Sequence, residues 1–107
     1  MGGRPHKRVS AEELRRRFND GKYWERAQSG EFTERVVRED EASPRARKRI
    51  NLPHGTLSQI LSYDDPQGRR VALVHQYLRP DGTLGASGKP DPKWVRADGV
   101  IYAPELK

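Results

Sequence analysis

The chain of 107 residues has no cysteine, which excludes disulfide staples and thiol catalysis from the outset. It also lacks any run approaching the ~20 apolar residues that a membrane helix needs. No apolar stretch follows the basic start MGGRPHKRVS, so that segment does not read as a secretory signal. Apolar side chains are scarce throughout: 33% of residues are hydrophobic and 34% charged, and mean hydropathy is -1.02. Such a chain can bury one small core and not two. The expected setting is cytoplasmic, with no membrane contact.

What the chain has in excess is arginine. Its net charge is +6, and the surplus is uneven: residues 1–50 hold 14 Lys and Arg against 9 Asp and Glu, residues 51–107 hold 7 against 6. Three knots carry it: Arg4-Pro5-His6-Lys7-Arg8, Arg15-Arg16-Arg17 and Arg45-Ala46-Arg47-Lys48-Arg49. A guanidinium is a planar fork of donors that matches phosphate and stacks on bases, which a merely solubilising surface does not need. The pattern is the electrostatic footprint of a polyanion partner.

Along the chain, residues 1–9 read as a flexible basic arm and residues 10–107 as a single α+β domain. Ser10-Ala11-Glu12-Glu13 is a capping box opening a helix with Leu14 and Phe18 on one stripe, and Asn19-Asp20-Gly21 stops it. Residues 22–29 suit a second short helix. The segment 32–40 fits helix or edge strand equally, and 41–55, with Pro44, Pro53 and Gly55, reads as a connection. Strands are expected over 56–63 and 69–78, joined by the Asp64-Asp65-Pro66-Gln67-Gly68 turn, and a last hairpin over 94–102 turns at Asp98-Gly99. The expected fold is therefore one or two N-terminal helices packed on a small antiparallel β-meander of three to five strands.

Candidate chemistry centres on the strand before the long Gly/Pro loop. His75, Tyr77 and Arg79 alternate and so share one face, and Lys89 and Lys93 lie just beyond. An imidazole can move a proton, Arg79 can neutralise phosphate, and Tyr77 can donate or stack. The competing reading is a structural histidine beside a tyrosine, with Arg79 at the strand exit. The loop 82–90 is no P-loop: Thr83 stands where a glycine is required, and Pro90 replaces the Ser/Thr ligand. Its amides, with Ser87 and Lys89, can form an anion nest or only a wide turn. His6, His54 and His75 lack ligand spacing, so neither a metal nor a cofactor is expected. Among Tyr23, Trp24, Tyr63, Tyr77, Trp94 and Tyr102, the pair Tyr23-Trp24, beside Lys22 and Arg26, is the first candidate for base stacking.

In element order, with basic and His/Tyr residues on the later strands, the chain resembles the metal-independent ribonuclease toxins of the RelE and barnase-like group. That resemblance implies 2′-hydroxyl attack on phosphate, with His75, Arg79, Tyr77 and Lys89 as catalytic candidates and Lys93 in reserve. Three function classes follow. One is a nucleic-acid-binding module, for RNA before any duplex site, gripping phosphates through Arg4, Lys7, Arg8, Arg45, Arg47, Lys48 and Arg49, with Arg79, Lys89 and Lys93 as a second contact. Another is the metal-independent ribonuclease. The third is an interaction protein that binds an acidic protein partner. The residues alone do not decide whether the chain is an enzyme.

Overall fold

The structure, a computed structural model, describes residues 6–105. Nine elements follow one another: β1 (His6–Val9), α1 (Ala11–Asp20), α2 (Tyr23–Gln28), β2 (Thr33–Glu41), α3 (Pro44–Arg49), β3 (Leu57–Asp64), β4 (Arg70–Leu78), β5 (Asp91–Ala97) and β6 (Val100–Pro104). The strands form one sheet in the order β1-β6-β5-β4-β3-β2, antiparallel throughout except for the parallel β1–β6 ladder. The expectation of one or two helices on a purely antiparallel meander of three to five strands is thus corrected to three short helices and a six-stranded mixed sheet.

Each extra element has a local reason. Residues 6–9, expected in the flexible arm, pair with Ile101–Pro104 and seat Val9 in the core. Residues 1–5, which carry Arg4, lie outside the described residues. The stretch 41–55 is not a plain connection. Ser43 caps α3 by accepting from the Ala46 amide at 3.1 Å, and Pro44 begins the helix where its missing N–H costs nothing. Its basic last turn favours the negative end of the helix dipole. In α1 the capping box is half made. Ser10 accepts from Glu13 N at 3.1 Å, but the Glu13 carboxylate turns to the Arg17 guanidinium at 2.9 Å instead of reaching back.

The ambiguous segment 32–40 resolves as β2, a fully exposed edge strand with an irregularity between Val36 and Arg38. Charge and a bulge at an edge discourage pairing with other chains. The last hairpin turns as expected, with φ of 52° at Asp98 and 76° at Gly99. Positive φ at both central positions matches the twist of the flanking strands.

The core lies on one face of the sheet. Leu14 and Phe18 of α1, with Tyr23 and Ala27 of α2, meet Leu61, Tyr63, Ala72, Val74 and Val95 of the strands. Phe18 stacks on Tyr23 at 5.8 Å and tilts against Tyr63 at 6.2 Å. The Tyr23 hydroxyl leaves this cluster to donate to Arg96 O at 2.7 Å. Tyr63 is fully buried, and among the described residues its hydroxyl has no hydrogen-bond partner. Burial, helped by the charges of Glu34 and Glu25, pushes its phenol pKa well up. Leaving such a donor unpaired costs about 1–3 kcal/mol. Tyr63→Phe is therefore expected to stabilise the fold by about 1 kcal/mol, raising Tm by roughly 4–8 °C. Urea and thermal unfolding check this; a lower midpoint in the variant would show that the hydroxyl is satisfied.

Among the described residues no helix is long and apolar enough to cross a membrane.

Candidate nucleic-acid interface

Strand alternation fixes what the other face of the sheet presents. With Leu61, Tyr63, Ala72, Val74 and Val95 turned to the helices, their neighbours project the opposite way. Cross-strand pairing sets them in rows: Arg35, Ser62, Leu73 and Trp94; then Arg38, Ile60 and His75; then Asp40, Ser58 and Tyr77. Helix α1 packs against β5 and β6, and at one end of the sheet Gly85 stands close between Leu52 and the Cβ of Tyr77. Leu73, His75, Tyr77 and Trp94 are half-buried.

The second row anchors His75. Its Nε2 shares a hydrogen bond of 2.8 Å with Ser58 Oγ, and its ring meets Tyr77 edge-on at 4.7 Å and 89°. Burial lowers the imidazole pKa, the Lys93 charge lowers it further, and Asp91 partly offsets both. Burial removes water that would solvate the charged form, so His75 stays neutral at pH 7. A neutral ring can stack or accept a proton.

The first row carries a chain of polar contacts. Arg70 Nε donates to Ser62 Oγ at 2.7 Å, Ser62 donates to Asp64 Oδ1 at 2.5 Å, and Arg35 Nε donates to Asp64 Oδ2 at 3.2 Å. Ser62 is fully buried, which makes it a fixed pivot between two arginines. The irregularity between Tyr63 and Asp64 sets Arg70 opposite Asp64 and moves Val71 against the core, away from the face it would share with Leu73 in a regular strand. Arg96 and Ile101, paired across β5 and β6, extend the surface beyond Trp94. A shallow concavity of about 500 Å³ lies here, lined by Arg35, Asp64, Arg70, Trp94, Arg96 and Ile101 among others.

The expected site residues are divided by the fold. His75 and Tyr77 come together on the open face, and exposed Lys93 is near enough to act on His75. Arg79 is not with them: its Nη1 donates to Thr83 Oγ1 at 3.3 Å and Leu84 O at 3.0 Å, stapling the loop. Lys89 sits with α2, 3.2 Å from Glu25 and 5.4 Å above the Trp24 ring. Arg45, Arg47, Lys48 and Arg49 all lie on α3, and among the described residues none has a carboxylate partner. Lys7 and Arg8 are on β1, where Arg8 Nη1 donates to Pro104 O at 3.2 Å. The loop 79–90 spends amides within itself: Gly82, Gly85 and Gly88 donate to Arg79, Tyr77 and Gly85 carbonyls. That is the geometry of a wide turn. Of the first stacking pair, Tyr23 is buried in the core and Trp24 packs against it under Lys89.

Trp94, Arg35, Arg70 and Arg96 were not singled out by sequence reasoning. The alternation of Trp94 and Arg96 along β5 is a legible signal, but their union with Arg35 and Arg70 depends on sheet order and on a bulge. Among the described residues no three His, Asp or Glu side chains gather as a metal site would require. No protein-family model, no curated protein and no solved structure matches this chain.

Proposed function

We propose that the protein binds single-stranded nucleic acid, RNA before duplex DNA, across the open sheet face, with α3 as a second grip on the phosphates. The observation that carries this reading is a sheet face that sets half-buried His75, Tyr77 and Trp94 among the guanidinium groups of Arg35, Arg70 and Arg96. Aromatic platforms in a basic surface take successive bases because every base has a π-face, and unpaired RNA offers its bases that way. The cations of α3, which have no carboxylate partner among the described residues, add a term that does not depend on sequence.

The test is fluorescence anisotropy of a labelled single-stranded RNA in EDTA, followed over time at two salt concentrations. A stable rise that collapses with salt is the expected result. A rise insensitive to salt, or none at all, rejects the reading, and a flat trace would favour the acidic protein partner. A second reading, metal-independent ribonuclease, keeps one specific support: neutral His75 on that same face, bonded to Ser58 and beside Tyr77. It demands that the signal decay in EDTA and that His75→Ala abolish the decay. Arg79 and Lys89, spent on the loop and on Glu25, give that reaction no second group.

A further inference from the structure

The concavity beside Trp94 holds an arginine whose donors are set in advance. Arg70 Nε donates to Ser62 Oγ at 2.7 Å, and the Ser62 hydroxyl spends its own proton on Asp64 Oδ1. Asp64 Oδ2 accepts in turn from Arg35 Nε at 3.2 Å. Ser62 is fully buried, so Arg70 is anchored to the body of the sheet and not to another surface side chain. A bond through Nε steadies the guanidinium plane and leaves the two terminal nitrogens side by side as donors. Those of Arg70 have no hydrogen-bond partner among the described residues. Trp94 and Ile101 line the same concavity as an apolar wall.

Two features select the chemistry of the ligand. The Asp64 carboxylate joins Arg35 to Ser62 and Arg70, so an anion entering there meets a negative charge as well as the positive ones. A neutral group carrying acceptors meets no such repulsion, and the indole offers it a face to stack on. Among the RNA bases, guanine alone presents two adjacent acceptors on one edge, O6 and N7. Adenine sets an amino donor beside N7, cytosine exposes an amino donor, and uracil offers the single carbonyl O4. Two parallel donors therefore pair fully with guanine and leave a donor unmatched against each of the others.

We infer that this concavity is a guanine-reading subsite, with the base stacked on Trp94 and its O6 and N7 accepting from the terminal nitrogens of Arg70. The inference rests on the nucleic-acid reading above and adds a base preference to it. The test is fluorescence anisotropy of labelled single-stranded RNA, a run of about eight uridines. One central position is uridine, adenosine, guanosine or 7-deazaguanosine, the last carrying C–H in place of N7.

The guanosine strand is expected to bind about 10-fold tighter than the adenosine strand, the discrimination that a bidentate arginine–guanine pair gives. Both bases are purines with a π-face to stack, so the ratio reports the edge. The 7-deazaguanosine strand should lose most of that advantage, with the protein itself unchanged. Arg70→Lys keeps the charge but not the fork, and should bring the guanosine-to-adenosine ratio below about twofold. Circular dichroism checks that this variant is folded. Equal binding of the guanosine and adenosine strands would overturn the subsite while leaving strand binding intact. So would a 7-deazaguanosine strand that binds as tightly as guanosine. Failure of every strand to bind rejects the nucleic-acid reading and this inference with it.

Discussion

Trp94→Ala is expected to weaken single-stranded RNA binding by about 10- to 100-fold at fixed salt, because stacking on an aromatic side chain contributes roughly 1–3 kcal/mol per base. The ring stands in one row with Leu73, Ser62 and Arg35, is half-buried, and lines the concavity it shares with Arg35 and Arg70. Trp94→Phe keeps a π-face and should retain most of the affinity. Trp24→Ala is the matched control. Trp24 lies with α2 under Lys89, and its loss should cost stability but change RNA affinity by less than about threefold. Anisotropy titrations of the three variants, each checked by circular dichroism, decide the matter. If Trp24→Ala and Trp94→Ala weaken binding equally, the open face is not the platform.

Converting Arg45, Arg47, Lys48 and Arg49 together to glutamine should lower affinity by on the order of 10²-fold at about 0.1 M salt and flatten the salt dependence. Each phosphate neutralised on a single strand contributes a slope of about 0.7 in log affinity against log salt. Four contacts would remove nearly three from that slope, and any cation not touching phosphate reduces the change. The fold should survive. Ala46 is the one buried residue of α3, glutamine keeps the helix propensity, and the Ser43 cap is untouched. Titrations between 50 and 300 mM salt on the order of five points give the slope directly. An unchanged slope would mean that α3 faces away from the nucleic acid.

The parts of the fold legible in the sequence are those whose signal is local. Ser10 capping α1, the 3.6-residue spacing of Leu14 and Phe18, the alternation of Leu57, Leu61 and Tyr63, and the Asp98-Gly99 turn each state their own geometry within a few residues. What stayed hidden depends on distant partners. His-Lys-Arg-Val has one apolar residue and no alternation to display; it is a strand because β6 offers an edge and the core a place for Val9. In the stretch 41–55 two prolines and a glycine mask α3, although Ser43-Pro44 is a legible helix start.

The candidate site divides in the same way. The shared face of His75 and Tyr77 follows from counting by twos, while Arg79, one residue past β4, turns to its own loop. Lys89 is near His75 in sequence yet is carried to the other side by the loop, where Glu25 and Trp24 hold it. Trp94 meets Arg35 only through the register of three strand pairs, and Arg70 joins them through a bulge. Register and bulges are tertiary outcomes, and no window of residues displays them.

The parallel ladder also orders events in time. Arg8 donates to the Pro104 carbonyl across 96 residues of chain, whereas β3, β4 and their turn are neighbours in sequence. Closing so long a loop demands far more chain entropy than closing a hairpin, and contacts of that kind slow folding. During synthesis β1 is made well before its partner, so the parallel ladder cannot close until Val100–Pro104 has left the ribosome. Until that moment Lys7 and Arg8 have no strand to pair with, and this basic edge is the part of the sheet fixed last.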